Sequence, residues 1–270
     1  MGKKNEYILG VNQTELERLE FQNKVWKKVT DDFLDKTGLS KGWKCMDVGS
    51  GPGYVSMDLR ERIGDSGELT VIEPSEFYIT YFKNYCDKLN WKNIKFINEN
   101  FEDVKTGDEL FDLIYLRWVI DFVPEPEKYL LKLLSCLKKG GIIAVQDYAY
   151  EGITFFPIGG ALDNLADAVR NYWRAGGGDP HFTLKMPSIF RKNKIELIDF
   201  SPIIKAVGPE SGVYEWANKF LSVHINLMKE KNVISEQECE DMLKDWKNHK
   251  NNPDSVFLTP VIMNVIGKKL

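Results

Sequence analysis

Cys45-Met46-Asp47-Val48-Gly49-Ser50-Gly51-Pro52-Gly53 is the stretch on which the fold turns. It starts as an apolar run, meets an acid at Asp47, and passes through three alternating glycines. From Tyr54 to Ile63 the pattern becomes helical. Glycines at such a junction let the backbone turn tightly and approach a ligand, because no side chain stands in the way. The start of the following helix leaves N–H groups unpaired and aimed at whatever binds there.

Outward from this turn, strand and helix patterns alternate. Lys44 to Val48 reads as a strand and Glu68 to Ile72 as a second, with a helix from Ser75 to Leu89. Ile94 to Ile97 and Phe111 to Tyr115 read as the third and fourth strands. A helix carrying Tyr129, Leu130, Leu133, Leu134 and Leu137 is expected to end at Gly140-Gly141, before a fifth strand from Ile142 to Gln146. Short apolar strands alternating with amphipathic helices imply a doubly wound, mostly parallel sheet. Ile195 to Phe200 and Phe257 to Ile266 are candidate strands six and seven, the last antiparallel.

The N-terminal side reads as a helix. Thr14-Glu15-Leu16-Glu17 has the form of a capping box, and Leu16, Leu19, Trp26, Val29 and Phe33 recur at helical spacing. Arg18 and Gln22 sit four apart, with Gln22 on the apolar stripe itself, where a stripe edge meeting solvent is the plain explanation. Past Asp147 the rhythm changes. Tyr148 to Ile158 is aromatic and irregular, Gly160 to Ala175 is helical, and Gly176-Gly177-Gly178-Asp179-Pro180 is a loop. Two more helices come near Val213 to Lys231 and Ser235 to Lys247, the latter with a capping box at Ser235 and Glu238.

Glu73 closes the second strand, roughly 20 residues after the last glycine, where a carboxylate accepts hydrogen bonds from ribose hydroxyls. A dinucleotide fingerprint would need a third glycine at the position of Tyr54. The spacing Gly49-x-Gly51-x-Gly53, with Asp47 before it and Glu73 after it, instead suits a nucleoside ligand without a pyrophosphate.

These residues resemble the class I S-adenosylmethionine-dependent methyltransferases of small-molecule type. Asp47 to Gly53 looks like the family's first motif and Val71-Ile72-Glu73-Pro74 like the end of its second strand. The resemblance implies that Glu73, beside Pro74, binds the ribose, and that Asp47, Gly49, Ser50, Gly51 and Gly53 lie along the methionine portion of the cofactor. Asn98 to Asp103 matches the segment after the third strand, placing Asn100 at the adenine amino group and Phe101 against the ring. The family has Asp where this chain has Asn100, whose amide oxygen accepts the same bond. Phe111 to Trp118 matches the fourth strand and the residues just after it, which adds Arg117 to the cofactor set, and Val123-Pro124-Glu125-Pro126 opens the next helix. Tyr7 through Gly10, with Arg18 and Gln22, is similar to family openings that fold over the cofactor, implying Tyr7, Arg18 or Gln22 near the methionine carboxylate. The implied cofactor is S-adenosyl-L-methionine, leaving as S-adenosyl-L-homocysteine.

Methyl transfer from a sulfonium needs positioning and exclusion of water more than it needs a catalytic cluster. Some acceptors also lose a proton to a base. The candidates are His181, Asp121 and Asp147. His181 reads more readily as a solvated loop histidine, and Asp147 equally caps or braces a turn. Trp118, Tyr148, Tyr150, Phe155, Phe156, Tyr172, Trp173 and Phe182 read as an aromatic pocket or as ordinary core. Two other functions are compatible with the turn: an NAD(P)-dependent oxidoreductase and a non-methylating S-adenosylmethionine-binding protein.

The whole-chain numbers fit. At 270 residues, 43% hydrophobic, the chain can bury a full core, and its net charge of -4 gives no general field for nucleic acid. The fourth strand does not lead into the acid- or amide-proline-proline-aromatic pattern of nucleic-acid amino-methyltransferases, which favours a small-molecule acceptor. Cys45, Cys86, Cys136 and Cys239 lack metal or redox spacing, no metal site is expected, and no stretch reaches transmembrane length. A cytoplasmic enzyme, off the membrane and compatible with oligomerisation, is the expectation. Its parts are a closing segment (1–42), a cofactor core (43–150), a helical lid (151–193 and 208–255), and strands completing the sheet (194–207 and 256–270).

Overall fold

A computed structural model describes residues 12–108 and 110–270. The chain runs α1 (Gln13–Lys36), β1 (Lys44–Val48), α2 (Tyr54–Ile63), β2 (Glu68–Ile72), α3 (Glu76–Lys88), β3 (Ile94–Ile97), β4 (Phe111–Arg117), α4 (Pro126–Cys136) and β5 (Leu137–Ala149). It continues as β6 (Thr154–Phe156), α5 (Leu165–Ala175), α6 (Phe182–Lys192), β7 (Ile195–Ile203), β8 (Ala206–Val207), α7 (Gly212–Glu230), α8 (Glu236–Asn251), β9 (Val256–Leu258) and β10 (Val261–Lys269). Seven strands form one sheet in the order β3-β2-β1-β4-β5-β10-β7. Strands β1, β2 and β3 pair in parallel, and β10 lies antiparallel to β7. The strand order reverses between β1 and β4, the switch point at which doubly wound sheets bind ligands outside their carboxyl ends. The expected fold class is the one found.

The chain resolves into two compact units. One holds the residues up to Tyr115 together with Cys136–Ile142, and the other holds Leu116–Ser135 and Ile143–Leu270. In the first, Cys45, Met46, Val48, Leu69, Val71 and Ile72 are fully buried strand residues. Trp26, Phe33 and Leu34 of α1, Leu59 and Ile63 of α2 and Phe82 of α3 close over them. Phe33 lies 6.2 Å from Tyr115 of β4, ring centre to ring centre. Helices α1 and α2 run side by side in the same direction: Lys27 meets Asp58 at 3.2 Å, and Arg62 meets Asp31 at 3.4 Å and also Asp35. In the second unit, Phe155 stacks on Phe257 and Tyr214 on Trp246.

Five local expectations are corrected. The cap of α1 is Asn12, whose side chain accepts from Glu15 N–H at 2.9 Å, not Thr14. Helix α4 stops at Cys136, and Leu137 already opens β5; Gly140, with a φ of 78°, lies inside that strand rather than at the helix end. Tyr148 to Ile158 is not wholly irregular, since it contains the end of β5, a short 3-10 turn and β6. The helix expected from Gly160 begins as a 3-10 turn, and α5 proper starts at Leu165. Finally, β8 and β9 do not complete the large sheet. They join β6 in a separate three-stranded antiparallel sheet. The capping box at Ser235 and Glu238 is present as expected.

Candidate active site

The glycine turn is built by its neighbours. Gly49 and Ser50 N–H groups both donate to the Ile72 carbonyl at the end of β2, at 2.8 and 3.3 Å, which folds the turn across the strand ends. Gly49, Gly51 and Gly53 all have positive φ, a region that a Cβ disfavours. A Cβ on Gly53 would drive into the Phe82 ring, whereas one on Gly51 would meet open space. The turn is therefore packed from below and open above.

Glu73 leans over this turn. One carboxylate oxygen accepts from Gly51 N–H and the other from Ser75 N–H, each at 2.9 Å. Burial pushes its pKa up to about 7, against the pull of those two N–H groups. Asn98 donates its amide to the Glu73 carbonyl at 2.9 Å and so braces the same residue from β3. Asp47, buried in β1, accepts the Ser56 hydroxyl at 2.5 Å, which ties the strand to the first turns of α2. Pro74 is exposed beside Glu73. Asn100 is exposed, and its carbonyl accepts from Asp103 N–H, while Phe101 is packed into the interior.

Arg18 and Gln22 are found together on α1. The Arg18 guanidinium grips Glu15 with two bonds of 2.7 Å and donates to the Gln22 amide oxygen at 3.0 Å. Gln22 and Glu15 are buried, so Gln22 is not a solvent-facing stripe edge. Tyr7 lies outside the described residues.

In the second unit, β4 ends on Arg117, whose guanidinium lies 4.6 Å from the centre of the Trp118 ring. Trp118 has a φ of 57° and stacks flat on Tyr148, with ring centres 5.6 Å apart. Tyr148 in turn stacks on Trp216 and packs against Tyr150. Asp147 and Asp121 lie beneath, fully buried. Asp147 accepts N–H bonds from Val119 at 2.7 Å, Tyr148 at 2.9 Å and Asp121 at 3.4 Å. Asp121 accepts from the Thr183 N–H and hydroxyl. Burial raises the Asp147 pKa to about 7 and, with the Asp147 charge beside it, holds Asp121 well above the carboxylate range. His181 sits apart from these, its ring bonded to Glu151 at 2.5 Å and to Arg174 at 3.3 Å.

A family model described as "Methyltransferase domain" matches residues 39–194. The chain belongs to the class I S-adenosylmethionine-dependent methyltransferases. A ubiquinone/menaquinone biosynthesis C-methyltransferase of Idiomarina loihiensis is 23% identical over 149 residues, 54% of this chain and 55% of that protein. The chain spans about half the length of the curated relatives it matches. Among solved structures, a putative methyltransferase from Bacillus halodurans shares the fold at a TM-score of 0.63 and 15% identity, covering 88% of this chain and 97% of that one. A geranyl diphosphate C-methyltransferase from Streptomyces coelicolor, solved with S-adenosyl-L-homocysteine, does so at 0.59 and 8%, covering 90% and 76%.

For a methyltransferase, the first unit thus brings together Asp47, the glycine turn and Glu73. Asp121 and Asp147 serve backbone N–H groups in the second unit and have no exposed surface, while the His181 ring is held between Glu151 and Arg174. Three partners escaped the sequence reading. Ser56 carries no motif of its own and Asn98 only opens a matched segment, yet each sits beside an element that follows or flanks the residue it braces. Glu15 had a visible signal, an acid three residues before an arginine on one helix.

Proposed function

We propose that the protein moves the methyl group of S-adenosyl-L-methionine onto a small-molecule acceptor by in-line displacement. The observation that carries the reading is the Glu73 carboxylate laid across the Gly51 N–H, at the mouth of the turn between β1 and α2. Each of its oxygens retains a lone pair beyond the backbone bond it accepts, which suits the two hydroxyls of a ribose. Gly51, with open space where a Cβ would stand, lets a ligand come down onto the backbone. In this assignment Asp47, Gly49, Ser50 and Gly53 shape the turn, Pro74, Asn100 and Phe101 border the adenine side, and Arg18 with Gln22 receives the amino-acid end; Arg117 and Tyr7 are kept from the family resemblance.

When bound, the cofactor supplies a methyl already activated by its sulfonium. The chain's own task is to hold both reactants in line and dry. The half-buried Trp118, stacked on Tyr148, favours an acceptor with a flat or apolar body. Of the candidates Asp121, Asp147 and His181, the two aspartates are fully buried on backbone N–H groups, so His181 is the group we assign to any proton that must leave. The net charge of -4 supports a small acceptor over nucleic acid. No helix among the described residues is long and apolar enough to cross a membrane, and the four cysteines are buried thiols outside any disulfide, which supports a cytoplasmic setting.

The test is calorimetry on the full chain with S-adenosyl-L-methionine and S-adenosyl-L-homocysteine. We expect both to bind, and radiolabelled methyl to leave the donor when a small-molecule cell extract is supplied. A folded protein that binds neither would refute the reading.

A further inference from the structure

Residues 157–160 and the carboxyl end of α8 line a cleft of about 340 Å³ within the second unit. None of the residues assigned to the methyl donor lines it. On the helix side the lining residues are Asp245, Asn248, His249 and Asn252, whose spacing of i, i+3, i+4 and i+7 puts them on one helical face. The other wall is the loop, where Pro157 and Ile158 are exposed. One wall is therefore polar and the other apolar.

The polar wall is built from the interior outward. The hydroxyls of Tyr214 and Ser255 bond each other at 3.1 Å, and the Ser255 hydroxyl bonds His249 Nδ1 at 2.9 Å; all three residues are buried. The imidazole is thus held by one nitrogen. Asp245 is held by one oxygen: Oδ2 accepts from Leu162 N–H at 3.0 Å, and the Gly160 backbone lies so close to the carboxylate that a Cβ would overlap it. The remaining atoms, His249 Nε2 and Asp245 Oδ1, stand 3.8 Å apart, too far to bond each other. Among the described residues neither atom has a hydrogen-bond partner, and no lysine or arginine pairs with the carboxylate. Yet the Asp245 and His249 side chains keep only 17% and 6% of their exposure.

A carboxylate drawn largely out of water with no cation beside it costs free energy. Holding the loop does not require one, since an amide oxygen would accept the Leu162 N–H as well. The carbonyl end of α8, which closes at Asn251, adds partial negative charge at the same place. We infer that the cleft binds a protonated alkylamine, its ammonium donating to both Asp245 Oδ1 and His249 Nε2 and its alkyl chain lying on Pro157 and Ile158. With Nδ1 donating to Ser255, the neutral ring presents Nε2 as an acceptor. An ammonium supplies a donor to each atom and neutralises the carboxylate, whereas an alcohol supplies one donor and an anion none.

The probe is n-butylammonium, with 1-butanol and butyrate as its neutral and anionic counterparts at matched ionic strength. The chain has three histidines, so the imidazole signals of each can be followed separately by NMR on the full chain. At about pH 8, above the ordinary imidazole range, butylammonium should shift the His249 signals saturably and leave those of His181 in place. Its affinity should exceed that of butanol by about tenfold or more, the gain expected of a charge-assisted hydrogen bond, and butyrate should give no saturable shift. Asp245→Asn keeps an acceptor for Leu162 and removes the charge. It should weaken butylammonium by about tenfold and leave butanol unchanged. Equal responses to butylammonium and butanol, a His249 shift that never saturates, or an unchanged affinity in folded Asp245→Asn would each overturn the inference. If that variant does not fold, the comparison of amine with alcohol on the unaltered chain decides alone.

Discussion

Glu73 in the first unit and Asp147 in the second share a property: burial lifts each carboxyl to a pKa of about 7. Their surroundings differ. Glu73 accepts two backbone N–H groups and stands beside Gly51, where the space above the turn is open. Asp147 accepts three, has no exposed surface, and has a second buried acid, Asp121, for a neighbour. A perturbed acid marks a functional position only when something can reach it. Glu73 is the acid we assign to a ligand, and Asp147 is an acid whose backbone partners pin the end of β4 to the end of β5.

The largest effect that would break this contrast is on ligand affinity. Glu73→Ala should weaken S-adenosyl-L-homocysteine by roughly a hundredfold, the loss of about two hydrogen bonds to a charged group. An unchanged affinity by calorimetry would show that Glu73 is as structural as Asp147. Next is the turn beneath it. Gly53→Ala should cost about 2 kcal/mol or more, because a positive φ and the Phe82 ring both resist a Cβ, while Gly51→Ala should cost about 1 kcal/mol from backbone strain alone. Denaturant melts showing the reverse order would put the open side of the turn in the wrong place.

The pH dependence of binding sharpens the contrast further. Ribose hydroxyls donating to Glu73 favour its charged form, so binding lowers its pKa. Affinity should be flat above a pH of about 7 and fall by about tenfold per unit below it, with a proton released on binding. A flat profile from about pH 8 to 6 would remove Glu73 from the binding surface. The smallest change belongs to the second unit. The raised pKa values of Asp121 and Asp147 mean that the native state keeps protons the unfolded state has released, so their contribution to stability falls as pH rises from the ordinary carboxylate range through about 7. Asp121→Asn removes one titrating group and the like charge beside Asp147. Its stability should therefore fall less than that of the unaltered protein over that rise, as read by denaturant melts, and parallel curves would dissolve the pair.

The first unit was legible in the sequence, and for a physical reason. Its strands are short apolar runs, its helices carry a 3.6-residue stripe, and the turn after β1 is spelled by glycines whose positive φ leaves few other residues acceptable. The boundary misread at Gly140 came from Leu137, which continues the helical stripe of α4 and also suits the first position of β5. The small sheet of β6, β8 and β9 could not be read, because strands of two or three residues carry no period. The roles of Asp121 and Asp147 hid for another reason: their partners are backbone N–H groups, which every residue but proline has and no sequence pattern announces.

The placement of β9 and β10 also has a consequence in time. The small sheet needs β9, and the large one sets β10 between β5 and β7, so the second unit is closed by residues 256–269. The first unit has all its residues by Ile142. On a ribosome, domains tend to fold as they emerge, and pairings distant along the chain wait for their later strand. The first unit is thus free to settle around its glycine turn early, while the second stays unfinished until residues 256–269 have been made.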